Sequence, residues 1–256
     1  MLRILLAALL LSGLLPAWAA RPPQAGRPGP LTIAAAADLK YALDSLVTMF
    51  KRQHPQAQVT VVYGSSGKFY EQLTHAAPFD LFFSADSNYP RRLQQAGLTD
   101  GAPVAYALGR LVLWSRKLDP NAQGLNTLLS PQVRRVAIAN PAHAPYGQKA
   151  EEILRHYQLY DQVQPKLVLG ESIGQAAQYA AAGAADAGLL AYSLALGPEL
   201  RRAGRFYLIP AGAHTPLRQS YVRLKRASGN VTATEFTAFI ATPAAKATLK
   251  KYGFGL

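Results

Sequence analysis

Val59-Thr60-Val61-Val62-Tyr63-Gly64-Ser65-Ser66-Gly67-Lys68 is an apolar, β-branched run that breaks into a serine–glycine turn, and residues 69–75 after it read as a short helix. Strand, turn and helix in that order place two hydroxyls and several unpaired backbone N–H groups at a helix N-terminus. The partial positive charge there favours an anion. Other chemistries fit the turn less well. A nucleophile elbow, G-x-S-x-G, needs glycine where Lys68 stands. A phosphate-binding P-loop is longer than this turn. Ser65-x-x-Lys68 matches the serine–lysine spacing of penicillin-type acyl enzymes, but no Ser-Asp-Asn or Lys-Thr-Gly partner accompanies it. As plain structure, Ser65 or Ser66 caps the helix.

The same alternation continues along the chain. Strand-like runs fall at 31–35, 59–63, 80–84, 111–115, 135–139, 166–169, 187–191, 206–210 and 220–224. Helical spacing appears at 39–50, from Pro90 to a stop at Gly97, and at 147–157, 172–182, 232–240 and 243–252. About nine strands alternating with helices predict an α/β protein of mostly parallel sheets flanked by helices, two sheets fitting this length better than one. Sites in such sheets lie beyond the carboxyl ends of strands, and a cleft between two lobes permits closure over a ligand.

The N-terminus predicts export. Arg3 precedes an apolar run over 4–15, and Ala17-Trp18-Ala19 is an A-x-A-like cleavage site, so residues 1–19 read as a signal peptide. The run is short for a bilayer span, which takes roughly 20 apolar residues. Residues 20–30, rich in proline, glycine and arginine, read as a disordered lead-in. The chain has no cysteine, which removes disulfides and lipid attachment through a cysteine. Net charge is +13, or +12 once Arg3 leaves with the leader, but the basic residues are scattered pairs such as Arg91-Arg92 and Arg201-Arg202. No basic run is interleaved with aromatics, which argues against nucleic acid as a partner.

Three further turns supply candidate ligand groups. In Ala35-Ala36-Ala37-Asp38, small residues allow close backbone approach, and the N–H groups of Ala37 and Asp38 point to the same cleft. The Asp38 carboxylate conflicts with an anion, so it is expected to cap its own helix, accepting from the N–H of Lys40 or Tyr41. Turned inward, it would repel a dianion and require a protonated ligand or a cation. In 140–147, Tyr146 stands at a helix start where its hydroxyl or N–H reaches a ligand, or else is a half-buried loop aromatic. Gly170-Glu171-Ser172-Ile173-Gly174 offers the N–H groups of Ser172 and Ile173. The histidines are dispersed, with His143 nearest the proposed cleft, and no zinc or G-x-G-x-x-G dinucleotide pattern occurs.

Taken together, Gly64-Ser65-Ser66-Gly67, residues 77–86, Gly109-Arg110-Leu111-Val112-Leu113-Trp114, Asn140-Pro141 with Ala144-Pro145-Tyr146-Gly147, and Tyr252-Gly253-Phe254 resemble the periplasmic molybdate-binding proteins, the solute-binding components of molybdate/tungstate ABC importers. The resemblance runs from about Leu31 to the end. It implies a two-lobed type II binding-protein fold, here 31–110 plus 217–256 as one lobe and 111–216 as the other, with the ligand cleft between them. It also implies a tetrahedral oxyanion, molybdate or tungstate, held by neutral donors with no cofactor. Ser66 and its neighbour Ser65 fall on the family's serine position, Tyr146 on a second-lobe ligand position, and Ile173 on a backbone N–H donor. The first turn departs, with Ala37 where the family often has serine and Asp38 following. Ala191 takes the place of a ligand tyrosine found in some members, with Tyr192 one residue along on the opposite strand face. The expected function is that of a monomeric periplasmic receptor, not an enzyme, delivering its anion to an inner-membrane permease and its ATPase. The rivals are the same fold with another oxyanion, an organic acid or a metal ion, and a serine acyl-transfer enzyme using Ser65 and Lys68.

Overall fold

The computed structural model describes residues 28–256. The expected signal peptide and most of the lead-in lie outside the described residues. Of the lead-in, Pro28 to Pro30 are described, without regular structure, and the Pro30 carbonyl accepts a hydrogen bond from Asn230 Nδ2 at 3.1 Å.

The order of elements begins β1 (Leu31–Ala36), α1 (Lys40–Gln53), β2 (Val59–Gly64), α2 (Ser66–Thr74), β3 (Leu81–Ser84), α3 (Asn88–Gln95), β4 (Val104–Gly109) and β5 (Leu111–Ser115). It continues with β6 (Val136–Ala139), α4 (Pro145–His156), α5 (Tyr160–Val163), β7 (Leu167–Gly170), α6 (Ile173–Ala181), β8 (Ala187–Ala191), α7 (Tyr192–Ala195) and α8 (Pro198–Ala203). Last come β9 (Arg205–Leu208), β10 (Leu217–Arg223), α9 (Val231–Ile240) and α10 (Pro243–Lys251). A 3₁₀ turn, Ala37–Leu39, joins β1 to α1.

The strands form two five-stranded sheets, ordered β2-β1-β3-β10-β4 and β7-β6-β8-β5-β9. In each, one strand runs against the other four: β10 is antiparallel to β3 and β4, and β5 to β8 and β9. The inner parallel strands β1, β3, β6 and β8 are buried almost throughout, as a sheet covered on two sides requires. Ala-Gly-Leu-Leu-Ala of β8, for example, is buried throughout. Helix α1 shows the matching half of the rule, burying Ala42, Leu43, Leu46 and Phe50 at helical spacing against the first sheet's core.

The chain crosses between the sheets twice, at Arg110 between β4 and β5, and again between β9 and β10. At the first crossing Gly109 must be glycine. A β-carbon there would lie 2.6 Å from Tyr146 Oη and 2.8 Å from Gln219 Nε2. β4 itself is absent from the sequence reading. The core of the second lobe extends across the boundary to include Ala36, Ala37 and Ala85 of the first. Among the described residues, no helix is long and apolar enough to cross a membrane.

Candidate functional site

The strand-to-helix turns of both lobes meet. Ala37 and Asp38 follow β1, Ser65 precedes α2 and Ser66 opens it, Tyr146 lies in the first turn of α4, and Ile173 opens α6; all six line one small pocket. The rest of its wall is alanine, glycine and proline, so Asp38 is its sole charged residue. The cavity itself is about 10 Å³, against roughly 300–1,000 Å³ for pockets that take drug-sized organic ligands, so it has no room for an organic solute. Larger surface hollows, about 270 to 670 Å³, exist elsewhere. The site is distinguished by its lining and not by its volume.

Two of the expected donors are free to act. Ser66 Oγ accepts the Ala85 N–H at 3.0 Å, which leaves its own proton to donate. Ile173, first residue of α6, has no intrahelical acceptor for its N–H, while Ser172 before it caps the helix by accepting from Gln175 N at 3.3 Å.

Ser65 does something else. It occupies the cap position of α2 without making a cap bond. Its hydroxyl instead donates to the His143 carbonyl at 2.6 Å and lies 3.0 Å from His143 Nδ1. The Gly67 N–H donates to the same carbonyl at 2.9 Å. A β-carbon on Gly67 would press into that oxygen, so glycine here is what lets the lobes touch. His143 Nε2 in turn lies 3.3 Å from Glu171 Oε2. His143 is therefore a strap between the lobes. Lys68, the other half of the serine–lysine reading, turns to solvent and pairs with Glu71 at 3.2 Å.

Asp38 overturns its expected role. Its carboxylate takes no cap bond from Lys40 or Tyr41 but is buried at the base of the cleft. Oδ2 accepts from Tyr146 Oη at 2.9 Å and from Gln219 Nε2 at 2.6 Å, while Oδ1 has no partner of good geometry. The reason is the short 3₁₀ turn, which carries Asp38 inward in place of the first turn of α1. Burial pushes its pKa up to about 6, against the lowering effect of hydrogen bonds from Gln219 and Tyr146 and, more weakly, of the backbone at Asp38 and Leu39. The Tyr146 hydroxyl is correspondingly committed to Asp38. Burial and then the Asp38 charge hold that phenol well above its usual range.

Gln219 escaped the sequence reading. It sits fully buried at an irregularity in β10, and its Oε1 accepts from Tyr106 Oη at 2.6 Å. Gln219 lies one residue before the strand read at 220–224, which in fact starts at Leu217, and a sequence does not say which way such an amide faces. Tyr192 also differs from expectation. β8 ends at Ala191, and Tyr192 starts α7, stacking edge-on against Phe206. Among the described residues, no group of three or more His, Cys, Asp or Glu side chains could hold a metal ion.

Residues 31–255 match the model of a bacterial extracellular solute-binding protein family. The chain belongs to this family. The molybdate-binding protein ModA of Rhodobacter capsulatus is 38% identical over 198 residues, 77% of this chain and 77% of its own. The ModA of Azotobacter vinelandii is 32% identical over 88% of this chain and 89% of its own. The solved structure of the Azotobacter vinelandii periplasmic molybdate-binding protein superposes with a TM-score of 0.81 at 33% identity, covering 88% of this chain and 99% of that one. For a solute-binding protein of two lobes, a pocket walled by both is the expected place of the ligand, and the contacts of His143, Tyr146 and Asp38 across it place the two lobes against each other here.

Proposed function

We propose that this chain is a periplasmic receptor for molybdate or tungstate, closing its lobes around the anion and presenting it to an inner-membrane ABC permease. One observation carries the reading: donors from both lobes, the Ser66 hydroxyl and the Ile173 N–H among them, line a single pocket too small for an organic solute and free of lysine and arginine. Neutral, oriented dipoles stabilise a dianion without the flexibility of long cationic side chains. The molybdate-binding relatives support the choice of anion, and residues 1–19 support export.

The enzyme reading is weaker. Ser65, His143 and Glu171 form a chain of contacts like a serine–histidine–acid relay. However, the serine proton is directed at a carbonyl oxygen 2.6 Å away and not at the imidazole, so the hydroxyl is not activated. Titration calorimetry of the mature chain with molybdate, tungstate, sulfate and phosphate tests the proposal. Molybdate and tungstate are expected to bind far more tightly than the other two; equal or absent binding of all four rejects the receptor.

A further inference from the structure

Inside the candidate pocket the chain carries one charged side chain, and its sign is wrong for an anion. Asp38 is 1% exposed, and the wall around it holds no lysine or arginine to offset it. Two negative groups forced together in a site of low dielectric repel strongly, and a shared proton is how such pairs are relieved. The distribution of donors around Asp38 shows where that proton would go. Oδ2 already accepts from Tyr146 and Gln219, whereas Oδ1 is buried without a partner.

We propose that the protein takes up its oxyanion together with one proton, held on Asp38 Oδ1, so that Asp38 enters the loaded site as a neutral carboxylic acid and donates a hydrogen bond to the ligand. This rests on the oxyanion reading above. The proton comes from solvent on loading and returns to it on release, with no other bond made or broken. A protonated carboxyl has one O–H donor and keeps its acceptor capacity, so Tyr146 and Gln219 retain their bonds to Oδ2. The same step accounts for both departures in the first turn, because the acid at 38 supplies the hydroxyl donor that Ala37 lacks.

The surroundings favour the neutral form. Burial raises the carboxyl pKa to about 6 before any anion arrives, and a dianion alongside raises it further. The titratable groups facing Asp38 are Tyr146 from α4 and Tyr106 from β4, both held protonated by burial and by Asp38 itself. Gln219 from β10 and Ser193 from α7, which donates to the Asp38 carbonyl, carry no charge. Lys40 beside it in sequence pairs outward with Asp44, and His143 across the pocket contacts Ser65 and Glu171.

The test is titration calorimetry of the mature chain with sodium molybdate at about pH 6.5, 7.5 and 8.5, each in two buffers of different ionisation enthalpy, so that proton uptake is counted directly. About one proton per anion is expected above pH 7, with affinity falling about tenfold for each unit rise in pH. Asp38→Asn, whose amide copies the acid with a donor in place of Oδ1–H, is expected to bind with no proton uptake and the same affinity at each pH. At pH 8.5 it should exceed the wild type by on the order of a hundredfold. Molybdate binding by the wild type without proton uptake overturns this inference and leaves the oxyanion receptor standing. Loss of anion binding in an Asp38→Asn protein of native circular dichroism also overturns it, since the ionised carboxylate would then be required. No molybdate or tungstate bound at any pH removes the receptor reading and this inference with it.

Discussion

Replacing Ser66 by alanine separates two jobs of one hydroxyl. Its oxygen accepts the Ala85 N–H, and Ala85 is buried, so the substitution orphans a donor and should cost about 1–3 kcal/mol of stability by denaturant titration. Its proton is left for the ligand, and losing that bond to a charged partner should weaken molybdate binding about ten- to a hundredfold by calorimetry. Asp38 gives a second residue-level expectation, with a defined sign in the ligand-free protein. Its folded pKa, about 6, lies above the ordinary 3.8, so its contribution to stability is fully present below pH 3.8 and is lost as pH rises through 6. Asp38→Asn should therefore stabilise the empty protein at neutral pH, by on the order of 3 kcal/mol, with the gain vanishing near pH 4. Equal melting temperatures of the two proteins at pH 7.5 would contradict it. The place of Ser66 at the pocket wall was legible from the chain because strand, turn and helix follow one another there without interruption. Asp38 was not, since cap and cleft differ by the rotation of a single 3₁₀ turn that local sequence does not fix.

At the scale of elements, the start of α2 meets the loop before α4 across the two lobes. Gly67 donates to the His143 carbonyl and Ser65 adds its hydroxyl to the same oxygen. Gly67→Ala drives a methyl group into that carbonyl while leaving α2 free to fold, alanine being the better helix former. Anion affinity should fall at least tenfold without loss of secondary structure, and small-angle scattering should show the variant failing to contract on adding molybdate. An unchanged affinity would mean that the contact is incidental. Most elements were readable for a physical reason. α1 buries residues at helical spacing, and β8 is an unbroken apolar run whose five-residue length fits a buried strand better than a helix. β4 was not, because it lies at the edge of its sheet with Val104 exposed, and a half-paired strand has no need of a regular apolar pattern. Gln219 stayed hidden for the opposite reason. Its amide is satisfied by Tyr106, Asp38 and Tyr146, residues 73 to 181 positions away, so no local pattern marks it.

For the whole molecule, charge and site are separated in space, and kinetics should separate them too. The chain carries a net charge of +13, yet no cationic side chain lines the pocket. A positive molecule draws an anion from a distance through a field that salt screens, with a Debye length of about 10 Å at 0.1 M and about 3 Å at 1 M. On the proposed function, the donors that meet the anion in the pocket, from Ser66, Ile173 and their neighbours, are buried dipoles that salt does not reach. Raising ionic strength from about 0.01 M to 1 M should therefore slow molybdate association, as measured by stopped flow, while the dissociation rate stays nearly constant. A dissociation rate that climbs with salt would mean that a lysine or arginine reaches the bound anion after all. That result would return the basic pairs scattered along the sequence to the centre of the binding problem.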